Sequence, residues 1–249
     1  MREPIYNDAH VAFCHLLGRT YNNPLGETAF GLLKRLLPTA VPLAILDAGC
    51  GRGQTATWWA DRTVATIDAF DPSTAMLAEA RRIAEVTKSM GRIRFHESDI
   101  SGFSGPVRYD LVLAHDVLCY SRDRAGDTAR LADQLVKGGI LSVTDYWCDE
   151  PCSEVNDVLS AWGIQLPPAF DMAPRGLNDL GLTTLLHLDT TAEYRRHWTQ
   201  IRDRLHDRHE EARALLGGDS LATFNRQIGS ILTAVQRGGF GHCWSILQR

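Results

Sequence analysis

The chain has 249 residues, 44% of them hydrophobic, which suffices for one large domain or a domain with a cap. Its 26 lysines and arginines against 30 aspartates and glutamates leave a formal net charge of -4, which disfavours a nucleic-acid partner because a phosphate backbone calls for a basic surface. No stretch approaches the roughly 20 apolar residues of a membrane span, and the first six residues lack the apolar run of a signal peptide. The cysteines at 14, 50, 119, 148, 152 and 243 form no CxxC pair and have no histidines at zinc-ligand spacing, so reduced thiols, a cytoplasmic location and no metal site are expected.

Residues 8–37 read as two helices broken at Tyr21-Asn22-Asn23-Pro24. Val11, Leu16 and Leu17 mark one apolar face, and Phe30, Leu32, Leu33, Leu36 and Leu37 the other. An α/β rhythm follows. The apolar run 43–47 predicts a buried parallel strand, then come a glycine-rich turn, a helix over 55–61 and a strand over 64–70. A helix is expected over 73–89, with Met76, Leu77, Ala80, Ile83 and Ala84 on one side, and strands over 93–95 and 109–114. A helix over 127–136 should stop at Lys137-Gly138-Gly139 and lead into a fifth strand over 140–144. Residues 149–170 look irregular, 174–180 predict a short helix, and 183–188 a sixth strand. Two helices are then expected, one presenting Tyr194, Trp198, Ile201 and Leu205, the other Leu221, Phe224, Ile228, Ile231 and Val235, with Gly217-Gly218 between them. A last strand covers 243–247. Strands alternating with helices predict a parallel, doubly wound sheet.

The turn Asp47-Ala48-Gly49-Cys50-Gly51-Arg52-Gly53 carries the first chemistry. Glycines between a strand and a helix let the backbone approach a ligand, and the helix N-terminus offers free N–H groups. The dinucleotide fingerprint GxGxxG requires glycine three places after its second one; counted from Gly49 that place holds Gln54. Asp47 ahead of the turn would repel a pyrophosphate, whereas S-adenosylmethionine (SAM) carries an ammonium and a sulfonium centre, so the charges favour SAM over a nicotinamide cofactor. An acid after the next strand should accept hydrogen bonds from the ribose hydroxyls. Asp68 and Asp71 are both near, and Asp71, followed by Pro72, suits the carboxyl end of the strand better. Asp71 at that position is also a helix N-cap candidate. Met76 lies in the helix that follows. Asp99, after the third strand, should reach the adenine, with Ile100 on its face.

Taken in order, Asp-Ala-Gly-Cys-Gly-Arg-Gly, Phe-Asp-Pro-Ser-Thr-Ala-Met-Leu, Glu-Ser-Asp-Ile, Tyr-Asp-Leu-Val-Leu and Leu-Val-Lys-Gly-Gly-Ile-Leu resemble the successive motifs of class I SAM-dependent methyltransferases over residues 43–145. The resemblance implies a Rossmann-like, seven-stranded sheet with its last strand antiparallel. It further implies N-terminal helices as a lid over 1–40 and a helical cap over about 190–237, all in one domain. Outside that core the chain is similar to small-molecule methyltransferases, including a bacterial group related to cyclopropane synthases. The expected activity is methyl transfer to a small molecule, in secondary metabolism by analogy, with S-adenosylhomocysteine as product. A SAM-consuming cyclase or lyase that releases methylthioadenosine would carry the same cofactor motifs.

In such sheets ligands meet at the carboxyl ends of the strands, which directs attention to His115 and Asp116 and to Asp145, Tyr146 and Trp147. His115 is a candidate general base and a cofactor contact. Asp145 is a candidate for orienting an acceptor amine, or for a purely structural role. Tyr146 and Trp147 are candidates for an aromatic wall, and Tyr21 for a hydroxyl in the lid. The Arg-, Glu- and His-rich stretch over 195–213 reads as a solvated helix face, with a cap or homodimer surface as the other reading.

Overall fold

A computed structural model describes residues 8–18, 24–38, 43–148, 153–164 and 180–249. Two helices open the chain, α1 (Asp8–Leu16) and α2 (Glu27–Leu36). Next come β1 (Ala44–Ala48), α3 (Gln54–Arg62), β2 (Thr66–Asp71), α4 (Thr74–Val86), β3 (Ile93–Glu97) and β4 (Tyr109–His115). The second half contains α5 (Arg124–Asp133), β5 (Leu135–Cys148), α6 (Ser153–Ala161), β6 (Thr183–Asp189), α7 (Thr191–Asp207), α8 (His209–Leu216), α9 (Gly218–Arg237) and β7 (Phe240–Gln248).

The strands form one seven-stranded sheet in the order β3-β2-β1-β4-β5-β7-β6, with β7 antiparallel to both of its neighbours. This is the expected doubly wound sheet with a final antiparallel strand. Chain order reverses between β1 and β4, so a crevice opens at their carboxyl ends.

Each central strand feeds two cores. Ile45, Leu111 and Leu113 pack with α2, α3 and α4 on one face, while Leu46, Val112 and Ala114 pack on the other with Leu131 of α5. That alternation is why the strands read as continuous apolar runs. A third core belongs to the cap. Tyr194, Trp198, Ile201 and Leu205 of α7 and Leu221, Ile228 and Ile231 of α9 meet Phe13 and Leu17 of α1 and Val155 and Leu159 of α6. The spacings read from the sequence are therefore the buried stripes of α7 and α9.

Several expectations are corrected. In α2, Phe30 and Leu33 are buried, as is Leu37 just past its end, but Leu32 and Leu36 are exposed. Helix α5 starts at Arg124, because the Asp123 carboxylate caps it by accepting from the Gly126 N–H (3.0 Å), and it ends at Asp133. Lys137-Gly138-Gly139 is consequently strand entry rather than helix stop, tied to the C-terminus by Gly138 N–H to Arg249 O (2.7 Å). Strand β5 runs on to Cys148, so Asp145, Tyr146 and Trp147 lie within it. The stretch expected to be irregular contains α6, and the cap has three helices, because the chain also breaks at Arg208. The helix expected over 174–180 falls almost entirely outside the described residues.

The basic cap stretch is only partly a solvated face. Arg202 pairs with Asp203 and Arg208 with Glu211, but Arg204 donates to Leu17 O (2.6 Å) and Arg208 to Leu16 O. Two cap cations thus satisfy the carbonyls at the C-terminal end of α1, where the helix dipole favours them. On its other side α1 meets α4 through His15 Nε2 and Glu79 Oε1 (2.6 Å). Helix α1 is thereby held between sheet layer and cap, and Phe13 on it lines the cavity described next. No disulfide joins the described cysteines, and no described helix is long and apolar enough to cross a membrane.

Candidate active site

One cavity of about 1260 Å³ runs from the glycine turn to the underside of the cap. Single small-ligand sites occupy roughly 300–1,000 Å³, so there is room for two molecules side by side. Of the residues singled out from the sequence, Asp47, Gly49, Cys50, Gly51, Asp71, Pro72, Met76, Asp99, Ile100, His115 and Tyr146 all line it. Asp145 does not, and Tyr21 lies outside the described residues.

At the turn, Gly49, Gly51 and Gly53 all take positive φ (68°, 51° and 72°), which folds the loop tightly enough for the Cys50 N–H to donate to Phe70 O (2.9 Å) and the Gly53 N–H to Cys50 O (2.9 Å). A side chain at Gly51 would meet no protein atom within 4 Å, so the space above it belongs to the cavity. Asp47 lies behind the turn, 4% exposed. It accepts from the Ala56 N–H, but its Oδ2 has no partner among the described residues. Burial, with the neighbouring Asp71 adding to it, pushes its carboxyl up to about 7. A buried carboxylate oxygen without a partner fits a ligand that brings positive charge.

Asp71 ends β2. Its Oδ2 accepts from Gly51 N–H (2.9 Å) and its Oδ1 from Ser73 N–H (2.9 Å), which fixes both oxygens and leaves each a further lone pair. Burial raises its carboxyl despite those two bonds. Asp68 is a different kind of residue: it is 1% exposed and engaged by Arg94 (2.6 Å), His96 (2.7 Å) and Tyr109 (3.0 Å). It braces β2 to β3 and β4 and has nothing to offer a ligand. Asp99 is oriented by Ser101 Oγ (2.7 Å) and Gly102 N–H (2.8 Å), both on Oδ1, and these bonds hold its carboxyl below the usual range.

Replacing Asp71 by alanine is expected to weaken SAM binding about 10- to 100-fold, the range for losing charge-assisted hydrogen bonds worth about 1.5–3 kcal/mol. Calorimetry reads it. An unchanged dissociation constant in a folded variant would move the ribose contact elsewhere.

At the end of β4, His115 lies parallel to Phe30 (6.1 Å between centroids, 4° between planes), with Nε2 2.9 Å from Ser142 Oγ. Its Nδ1 is buried without a partner among the described residues. Burial pushes its pKa down to about 4, so the neutral ring is a poor proton acceptor, which argues against the general-base role.

Asp145 does not line the cavity. It is 2% exposed and ion-paired with Arg124, while burial holds its carboxyl up near 6. Its role is to fasten β5 to α5. Tyr146 does form part of an aromatic wall, stacked near Phe240 (5.8 Å) and edge-on to Tyr194 (5.5 Å) and His242 (5.7 Å). Trp147, on the opposite face of the strand, packs against Gly241 and does not line the cavity.

The sequence reading gave no role to the group beside them. Asp116 takes φ +55°, unusual outside glycine, and lines the cavity with its side chain 13% exposed. Its Oδ1 accepts from Thr144 Oγ1 (2.8 Å) and is 2.9 Å from His242 Nε2. His242 is fully buried, lies flat on Tyr194 (5.3 Å, 5°), and is anchored through Nδ1 to Thr190 Oγ1 (2.6 Å). His242, with smaller help from Thr144 and His115, holds the Asp116 carboxyl below its usual value despite burial. The only local signal was a histidine directly ahead of the apolar run 243–247.

Comparisons with known proteins agree with this geometry. The family described as "Methyltransferase domain" matches residues 45–139. Escherichia coli (strain K12) YjhP is 28% identical over 164 residues, 64% of this chain and 65% of YjhP. A trans-aconitate 2-methyltransferase of Acidovorax sp. (strain JS42) is 34% identical over 148 residues, 57% of this chain and 55% of that enzyme. The chain thus spans less than two thirds of the length of these curated relatives. Among solved structures, the mycolic acid cyclopropane synthase CmaA1 superposes with a TM-score of 0.88 at 13% identity, covering 99% of this chain and 96% of that one. The matched segment holds the glycine turn and strands β1 to β4, so residues 45–139 resemble a methyltransferase domain in sequence, and the whole chain shares the fold of the cyclopropane synthase.

Proposed function

We propose that the protein transfers a methyl group from SAM to a small-molecule acceptor enclosed beneath the helical cap. The observation that carries this reading is the continuity of the cavity, which joins the crevice of Asp47 and Asp71 to an aromatic chamber lined by Tyr146, Tyr194 and Trp198. The activity of relatives such as the trans-aconitate 2-methyltransferase lends support at low identity.

In this reading SAM, when bound, supplies a methyl already activated by its sulfonium. The Asp47 carboxylate balances cofactor charge. The Asp71 oxygens accept from the ribose hydroxyls. Asp99 serves the adenine edge, with Ile100 and Met76 against the ring and Pro72 shaping the strand end. His115, which lines the same crevice, serves as a cofactor contact. The chain's main contribution to rate is placement, worth up to about 7–11 kcal/mol when two reactants are held in line, together with exclusion of water by the cap and α1. Tyr21 supplies a hydroxyl from the N-terminal lid.

Calorimetry with SAM, S-adenosylhomocysteine and NAD side by side, followed by chromatography of the products, tests the reading. Binding of the first two but not NAD, and S-adenosylhomocysteine formed only when an acceptor is present, is the expected result. Methylthioadenosine formed without acceptor would overturn it in favour of a cyclase or lyase.

A further inference from the structure

We propose that the acceptor is an amine with an apolar body, its amino group held by the free oxygen of Asp116; this rests on the methyl-transfer reading above and goes beyond it to the substrate class.

Asp116 is built for such a contact. Among the described residues both of its hydrogen bonds fall on Oδ1, from Thr144 and His242, so Oδ2 accepts nothing while the residue lines the cavity. Four separate elements converge to hold one carboxylate still: the end of β4, β5 through Thr144, β7 through His242, and the β6–α7 junction through Thr190. The backbone there is held at φ +55°, a conformation uncommon outside glycine. An ion pair serving stability alone needs no such aim into a cavity.

The surroundings complete the match. Tyr146 and Tyr194 stand beside the Asp116–His242 pair, and Trp162 and Trp198, stacked at 5.3 Å, line the same cavity with Phe224. Aromatic faces attract a cationic or partly cationic nitrogen and accept an apolar body. A carboxylate acceptor would face repulsion from Asp116 in a chamber of low dielectric. Three arginines line the cavity, but Arg130 is already paired with Asp127 (2.7 Å), Arg122 is exposed, and Arg52 belongs to the glycine turn at the cofactor end.

The chemistry balances. An arriving ammonium gives one proton to solvent, which frees the nitrogen lone pair. That pair forms the N–C bond as the S–C bond breaks and its electrons go to sulfur. Positive charge passes to nitrogen beside Asp116, so the carboxylate stabilises the transition state more than the neutral amine. The product leaves as an ammonium, so one proton is released per turnover, the one given up by the arriving amine.

The test is binding, so it does not depend on turnover. Calorimetry at pH 8, with and without saturating S-adenosylhomocysteine, compares 2-phenylethylamine, 2-phenylethanol and 3-phenylpropionate. The amine is expected to bind at least about tenfold tighter than either of the others, a hydrogen-bonded charge pair in a desolvated pocket being worth that much. In Asp116→Asn the ratio of amine to alcohol affinity should fall to near one. Asparagine tolerates φ > 0 and still presents an oxygen to His242 and Thr144, so the network is expected to survive. Tightest binding by the acid, an amine preference that persists in the variant, or no binding by any of the three would overturn the proposal. Should the variant not fold, the ranking of the three compounds on the unaltered protein decides alone. Failure of the cofactor reading shows separately, as absence of S-adenosylhomocysteine binding.

Discussion

Gly49→Ala is expected to abolish measurable SAM binding, raising the dissociation constant at least about 100-fold while the far-UV circular dichroism stays that of the parent. Two independent costs fall on this position. Its φ of 68° disfavours any residue with a Cβ by about 1–2 kcal/mol. The added Cβ would also lie 2.5 Å from Val117 Cγ2 and 3.0 Å from Val117 Cβ. Val117 is β-branched and cannot swing its methyls aside without leaving its rotamer. The turn must therefore shift, and with it the N–H groups and the carboxylate it positions, since Asp71 is held by the Gly51 N–H. Opening space with Val117→Ala in the same chain removes the steric cost but not the φ cost, so the double variant should recover part of the affinity and not all of it. Full affinity in Gly49→Ala would mean that the turn is not the cofactor cradle.

The turn was legible because its constraints are local. A carboxylate, three glycines and a strand–helix junction within seven residues carry their chemistry wherever the rest of the chain goes. Asp71 was preferred over Asp68 on local grounds too, its place at the carboxyl end of a full strand and its spacing from the turn. The structure supplies the physical distinction, with Asp68 saturated by Arg94, His96 and Tyr109 and Asp71 open to the cavity. What escaped was set by distant partners. Strand β5 runs on to Cys148 because β7 pairs with it from Ile140↔Gln248 to Cys148↔Phe240, an extension that no property of residues 145–148 announces. The break at Arg208 has no glycine or proline; the chain turns where the Arg208 side chain reaches both Glu211 and the carbonyl of Leu16, 192 residues away. Asp116 and His242, 126 residues apart, are a pair only once β4, β5 and β7 are side by side. Asp145 shows the converse, since an acid at the end of an apolar run looks functional until Arg124 is found against it.

The pH dependence of cofactor binding should centre on Asp47. Without ligand its carboxyl is pushed up to about 7 by burial, whereas in the unfolded chain it has the ordinary value of 3.8. Between those values the folded protein holds a proton that the unfolded chain has lost, so this group's contribution to stability falls as pH rises from about 4 to about 7 and stays low above it. Binding reverses the preference: a cofactor bringing positive charge favours the ionised carboxylate. SAM affinity is therefore expected to rise by up to about tenfold per pH unit below 7 and to level off above it. Binding near pH 6 should release close to one proton, measurable by calorimetry in two buffers of different ionisation enthalpy. Asp47→Asn should remove that release and weaken SAM binding about 100-fold, because an amide N–H₂ would then occupy the position of the unpartnered Oδ2. The same variant, free of a buried charge, should melt about 5 °C higher than the parent at pH 8 in the absence of ligand. Opposite signs for binding and stability separate a carboxylate kept for its ligand from one kept for the fold. Proton release that persisted in Asp47→Asn would assign the titration to Asp71, whose carboxyl burial also raises.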